Sequence, residues 1–384
     1  MTLFRRGLLV ACLAIGSLVA ITSCSKDYSD DTQIQQVLEP TLYTGNNNNF
    51  VYAVDPLTGT KKWEFNAKSP VVANVVIHNN AAWVGTTAGM LYKLDRITGK
   101  VISERNMGAS ITTTPFVLDS RIFIAAGSVI HFIDNGTLES IDQNDVGARI
   151  TSAPSHAEFL AFENADILFV TTETGQVKAL SAALLDLIWT FNAPSPGAII
   201  SSVCNLDDLT AIVGSQSGDL YAINIFDGAL KWTYETDGGI ASSPITIGGN
   251  VLFGSDDTYF YSVDSETGRL RWKIKTGDRI TGSAYVYNQN VYFGSYDKEF
   301  YCVDIIDGVV TWQIPTPAII KSSPVVYQNR IYFTGYDNVL YCLDPEDGGQ
   351  YWTKNIYGQT DGSVTIDGVT SVSVAATDGN HSLK

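Results

Sequence analysis

From Ser323 to Thr353 the chain alternates short apolar runs with polar punctuation. The runs are Ser323-Pro324-Val325-Val326-Tyr327, Arg330-Ile331-Tyr332-Phe333, Val339-Leu340-Tyr341-Cys342-Leu343 and Gln350-Tyr351-Trp352-Thr353. Between them stand Gln328-Asn329, Tyr336-Asp337-Asn338 and Glu346-Asp347-Gly348. Runs of this length rich in Val, Ile, Tyr and Phe, separated by Asn, Asp and Gly, predict an antiparallel meander of four strands. No stretch after residue 24 keeps a helical period.

The meander recurs. Tyr221, Tyr261, Tyr301 and Tyr341 fall forty residues apart, as do Asn224, Asp264, Asp304 and Asp344, then Gly228, Gly268, Gly308 and Gly348, then Trp232, Trp272, Trp312 and Trp352. Tracked backwards, Tyr52, Asp55, Gly59 and Trp63 fit, as do Tyr92, Asp95 and Gly99 with Ser103 in place of Trp. His131, Asp134 and Gly136 make a degraded copy with Asp142 at the Trp position, and Lys178 and Ser181 precede Trp189. The uneven spacing of these weak copies places insertions near residues 157–165. Four strands per repeat of this length predict an all-β fold, a β-propeller of four-stranded antiparallel blades. Eight marks predict eight blades, with seven as the alternative. Residues 41–65 supply only the last three runs of a unit and Ser363-Val364-Thr365-Ile366 supplies a first. N- and C-terminal strands therefore share a blade and close the ring, which removes an open sheet edge. Thr370 to Ala376 is a surplus run that this scheme does not place.

The string Asp-x-x-Thr-Gly-x-x-x-Trp, as in Asp55–Trp63 and Asp264–Trp272, resembles the tryptophan-docking motif of PQQ-type propellers. The resemblance covers residues 41–384. Physically, Thr-Gly makes a tight turn and the indole lies between neighbouring blades, its N–H on a nearby carbonyl. Trp63, Trp189, Trp232, Trp272, Trp312 and Trp352 are therefore expected to hold blades together. Cys302 and Cys342 take one place in successive blades and read as small buried hydrophobes.

Residues 1–23 read as a lipoprotein signal peptide: Arg5-Arg6, then an apolar run from Leu8 to Ile21 that is short for a membrane span. Ile21-Thr22-Ser23-Cys24 resembles a bacterial lipobox, which implies acylation of Cys24 and anchoring in membrane lipid. Residues 24–40 are polar and read as a flexible tether; residues 41–384 form the propeller. Ser25 after Cys24 resembles an outer-membrane sorting signal, giving an envelope location at the periplasmic face or the cell surface. Losing Arg5 and Arg6 with the leader takes the net charge from −16 to −18. So acidic a surface repels a phosphate backbone, and nucleic acid is not an expected partner.

Catalytic chemistry finds little support. His78, His131, His156 and His381 show no metal-ligand spacing, and no P-loop, G-x-S-x-G or H-E-x-x-H string occurs. Quinone-dependent alcohol dehydrogenases of the PQQ class carry a vicinal Cys pair and a carboxylate–Asn calcium set; this chain has no Cys-Cys. No cofactor and no metal are expected. The small residues Thr112 to Thr114, Thr151-Ser152, Ser201-Ser202, Ser242-Ser243, Thr281-Gly282-Ser283 and Ser322-Ser323 are expected to line the central channel, the wall being entered at Ile111, Ile150, Ile200, Ile240, Ile280 and Ile320. Arg149, Arg279 and Lys321 at its mouth are candidates for holding an anion or a partner carboxylate. Asn46-Asn47-Asn48-Asn49 and Pro194-Ser195-Pro196-Gly197 are candidate rim loops, neither carrying an aromatic residue. The resemblance, with the lipid anchor, implies a non-catalytic scaffold similar to the BamB-type accessory lipoproteins, whose partner is a subunit of outer-membrane β-barrel assembly. The alternative is a surface-exposed lipoprotein that binds a glycan or small molecule, and the remote one a quinone-dependent oxidoreductase.

Overall fold

The computed structural model describes residues 39–118, 121–157, 166–207, 209–367 and 373–375. The leader, Cys24 and the insertion at residues 158–165 lie outside the described residues. Every described regular element is a strand. Seven consecutive four-stranded antiparallel sheets run from Val76–His78 to Gln350–Asn355, and an eighth is shared by the two ends of the chain, so the ring has eight blades. We number the blades from one, beginning at Val76–His78; the shared blade is the eighth.

The strand positions differ in burial for a simple reason. Second strands such as Ala81–Gly85 and Ile331–Gly335 are buried along their whole length, because neighbouring blades cover both faces. Outer strands such as Leu270–Lys275 alternate between exposed and half-buried positions. Aromatic rings stack from blade to blade in between, Phe260 on Phe293 at 4.2 Å and Phe300 on Phe333 at 4.1 Å.

Six junctions use tryptophan in one geometry. The indole N–H of Trp63 donates to Arg96 O, Trp189 to Ile225 O, Trp232 to Ser265 O, Trp272 to Ile305 O, Trp312 to Pro345 O and Trp352 to Pro56 O, at 2.7–3.2 Å. Each acceptor follows the first Asp or Asn of the next blade's turn. The turn glycine then lies on the ring: Gly228 has φ 71°, and a Cβ there would stand 2.7 Å from Trp189 Cε3. The residue directly opposite each Trp is small: Ala53, Ala179, Ala222, Ser262, Cys302 or Cys342. Cys302 and Cys342 are therefore clearance for an indole, and burial pushes the Cys302 thiol up to about 11. Trp63 and Trp189 are buried, whereas Trp232 is only partly so. Trp189→Ala is expected to cost about 3–5 kcal/mol in urea unfolding and Trp232→Ala clearly less; equal losses would contradict this account of the junctions.

The two junctions without Trp are built differently, and here the sequence reading needs correction. Gly136 is not the turn glycine of the second blade. Leu138 stands there, at φ 62°, and Leu185 takes the same place in the third blade at φ 56°. Both are about 1% exposed. Each leucine follows a blade whose Trp position holds Ser103 or Asp142, and so occupies space an indole would fill. The stranded carbonyls are also recovered. Lys93 Nζ donates to Asn135 O at 2.6 Å and Arg121 Nη1 to Ala182 O at 3.1 Å, the carbonyls equivalent to those the indoles reach elsewhere. Arg105 and Asn144 add bonds to Leu138 O and Leu185 O.

Ring closure follows the expected scheme. Thr41–Gly45 pairs antiparallel with Thr365–Asp367, so a strand from the C-terminal end lies inside the three from the N-terminal end in the eighth blade. Ser373–Ala375, the core of the surplus run, adds a fifth strand on the channel side of Thr365–Asp367. Arg96 of the first blade forms a buried ion pair with Asp367. The four asparagines are a clamp rather than a free rim loop. Asn46 is fully buried and donates to Ile356 O at 2.9 Å, while Asn47 reaches Gln359 O through its amide and Asp361 through its side chain.

Candidate functional site

Each outer strand leads into the next blade through a segment that drops a buried residue behind the channel wall, among them Ile111, Ile150, Ile240, Ile280 and Ile320. In the fourth blade this residue is Ile199; Ile200, one position later, faces the channel. Small residues follow, and together they line a central cavity of about 540 Å³. Such a volume falls in the range of small-molecule sites.

Most of the hydroxyls there already tie blades together. The Ser202 amide donates to Ser243 Oγ, Ser243 to Ser283, Ser283 to Ser323 and Ser323 to Ser363, at 2.9–3.0 Å. The belt continues from the Ser363 amide to Asn74 Oδ1 at 2.6 Å and from the Asn74 amide to Thr114 Oγ1 at 3.2 Å. Ala153 holds the corresponding place in the third blade and offers no side-chain acceptor. Two of the lining residues, Thr113 and Thr281, bury their Oγ1 atoms out of reach of solvent, with no hydrogen-bond partner among the described residues.

Of the three predicted mouth cations, the structure brings only Lys321 into the cavity wall, where it pairs with Asp361. Tyr336 donates its hydroxyl to the same Asp361 oxygen, and Asn47 Nδ2 bonds the other at 3.0 Å. Burial opposes ionisation of Asp361, but the bonds from Lys321, Tyr336 and Asn47 outweigh it and hold the carboxyl below its usual range. Burial and the Asp361 contact push the Tyr336 phenol upward. Arg279 lies 4.2 Å over the ring of Tyr296, and its charge opposes the upward push that burial gives Asp256. Arg149 belongs to the third blade, three blades from Arg279, and is bound to Glu173 at 3.0 Å.

Tyr296 and Tyr336 are the mouth residues that the sequence reading missed. Their amides donate to Arg279 O and Ile319 O at 3.0 Å, which sets both turns at the channel rim. The available signal was positional, since the two tyrosines stand forty residues apart, at the turn after the second strand of successive blades.

The repeat tyrosines serve the fold. Tyr221, Tyr301 and Tyr341 donate to Asp219, Asp297 and Asp337 in their own blades, and Tyr261 to Asp257. His131 bonds Ser140 at 3.0 Å, and burial lowers its pKa. Among the described residues no three of His, Cys, Asp and Glu come together to hold a metal ion, and Cys204, Cys302 and Cys342 are buried in separate blades.

A family model for outer membrane protein assembly factor BamB matches residues 47–147, 134–238 and 173–380. BamB from Moraxella catarrhalis is 15% identical, with a TM-score of 0.66 over 77% of this chain and 93% of that one. Quinohemoprotein alcohol dehydrogenase from Comamonas testosteroni is 13% identical, with a TM-score of 0.64 over 84% and 74%. Sqt1 from Saccharomyces cerevisiae is 13% identical, with a TM-score of 0.67 over 78% and 91%. No curated protein sequence matches. At such identities the solved structures establish the shared propeller fold and nothing finer.

Proposed function

This chain belongs to the family of outer membrane protein assembly factor BamB, and from that membership we propose that it is a non-catalytic, lipid-anchored envelope scaffold that binds a subunit of outer-membrane β-barrel assembly. Acylated Cys24 would supply the anchor. The observation that carries the binding role is a group of exposed apolar side chains on the third and fourth blades. Leu184, Leu187 and Ile188 on the third blade and Phe226 and Leu230 on the fourth are all exposed. The bond from Trp189 to Ile225 O draws the turn carrying Phe226 against the strand carrying Ile188. Exposed apolar side chains gathered on neighbouring outer strands and turns of an acidic protein favour a protein partner.

The test is co-purification of the full chain, tagged at its C-terminus, from envelopes in mild detergent. A barrel-assembly subunit is expected to come with it and to be lost from the Ile188→Glu/Leu230→Glu variant, while Trp232→Ala retains it. Recovery of no barrel-assembly subunit, or equal recovery with the double variant, overturns the assignment.

A further inference from the structure

We propose that the docking-turn end of the eighth and first blades rests on a phospholipid surface carrying anionic headgroups, an inference that builds on the envelope anchoring proposed above. Leu57 and Ile102 enter the headgroup region, and Lys61, Lys62 and Lys100 meet lipid phosphates. The chain enters the ring at this end. Leu42 pairs with Val54, the residue before the Asp55 turn, and Val54 pairs in turn with Lys61. Lys62 Nζ fixes the entering segment by donating to Pro40 O at 2.8 Å and pairing with Glu39 at 3.5 Å. An anchor N-terminal to Glu39 therefore leads to the docking-turn end of the eighth blade.

Charge singles out the same two blades. After the first residue of the turn, the eighth blade reads Pro56-Leu57-Thr58-Gly59-Thr60-Lys61-Lys62 and the first Arg96-Ile97-Thr98-Gly99-Lys100-Val101-Ile102. Neither stretch holds an acidic residue. The same stretch of the other six blades holds Glu139, Asp186, Asp227, Glu266, Asp307 or Glu346. Glu64, farther along the outer strand, engages Lys61 at 2.7 Å, and Lys100 is exposed. In a chain of net charge −16, these two turns are where anionic lipid meets least repulsion and most attraction.

Apolar side chains stand exposed beside these lysines: Leu57 in the eighth blade, Val101 and Ile102 in the first. The amides of Leu57 and Thr58 donate to Asp55 Oδ1 at 3.0 and 2.8 Å, so the turn that carries Leu57 is held by its own aspartate. Trp63 pins the first blade's turn to the eighth blade, its indole donating to Arg96 O at 2.9 Å. Fixed apolar side chains flanked by lysines suit a bilayer interface, where the apolar group enters and the ammonium stays at the phosphates. A linker of residues 24–38 keeps this end at an effective concentration of about millimolar over the membrane, so weak contacts suffice. The exposed apolar side chains of the third and fourth blades lie across the ring and stay open to the protein partner.

The experiment replaces the acyl anchor, so that its outcome does not depend on acylation of Cys24. The chain from residue 24 onward holds every described strand. It carries Cys24→Ser and an N-terminal histidine tag, which attaches it to vesicles of phosphatidylethanolamine and phosphatidylglycerol doped with a nickel-chelating lipid. An environment-sensitive fluorophore is coupled to Leu57→Cys, Ile102→Cys or Tyr357→Cys, the remaining cysteines being buried. Tyr357 is exposed beyond the far end of the outer strand Gln350–Asn355 and serves as the reference. Labels at Leu57 and Ile102 are expected to shift their emission to the blue and to be quenched by spin-labelled lipid, while the label at Tyr357 stays in water. Lys61→Glu with Lys100→Glu should abolish the shift. The proposal is overturned if the labels at Leu57 and Ile102 stay as water-exposed as that at Tyr357, or if lipid quenches all three alike. It is equally overturned if phosphatidylcholine alone serves as well, or if those two labels are shielded only when a barrel-assembly subunit is added. An unmodified Cys24 in protein isolated from envelopes would overturn the anchoring and leave this result standing.

Discussion

Replacing Asp367 with alanine is expected to lower the unfolding free energy by about 3–5 kcal/mol, read from urea denaturation of the full chain. Asp367 ends the strand that closes the ring on Thr41–Gly45 and Arg96 sits on the first blade's turn, with side chains 3% and 8% exposed. Burial pushes the Asp367 carboxyl above its usual range, against the pull of Arg96, so desolvation is a large cost in this pair. Removing one partner leaves that cost on the other with nothing to offset it. Arg96→Ala should therefore be about as damaging as Asp367→Ala. Arg96→Met with Asp367→Leu should recover most of the loss, because two apolar side chains of similar volume carry no desolvation penalty. If the double variant is as unstable as either single one, the pair does not act in this way.

The second large effect is at the junction of the first two blades. Leu138→Gly is expected to cost about 2–5 kcal/mol, since it empties a buried site beside Ser103. Ser103→Trp alone should also destabilise, because the indole meets Leu138 and the Lys93 side chain opposite it. Together with Lys93→Ala, however, the two changes transplant the arrangement found at Trp232, with Ala222 opposite and Gly268 on the ring. The cost of Leu138→Gly should then fall sharply or reverse, a coupling of about 2–3 kcal/mol in a thermodynamic cycle. Additive losses would mean that Leu138 is not a substitute for the indole.

What could be read from the residues alone follows from what repeats. A period of forty residues with fixed Tyr, Asp, Gly and Trp leads to blades, their number and the closing blade, because strand patterning is local and ring closure needs only a count of strands. The motif also indicated indole docking. Compensation was not legible. Leu138 looked like decay until the structure placed it against the blade carrying Ser103, and Lys93 to Asn135 O links residues that no local pattern relates. The mouth was read only in part for the same reason. Arg149 and Arg279 stand just before the wall isoleucine of their blades and Lys321 just after it, and the carboxylates that pair with Arg149 and Lys321 come from turns far along the chain. Asn46 looked like a loop because Asn favours turns, whereas its side chain spans to Ile356.

Thr365–Asp367 has a consequence for biogenesis. Synthesis runs from the N-terminus, so Thr41–Gly45 is made among the first strands of the propeller and waits for one of the last. Until Thr365 arrives, the growing protein is an open arc with an unpaired strand at its leading edge, and another copy's Thr365–Asp367 can pair there as readily as its own. Crowded nascent copies would then emerge as strand-exchanged dimers, and a chaperone shielding residues 41–45 would favour the monomer. The seal therefore acts as a checkpoint in time: a ring that has closed certifies that translation reached Asp367.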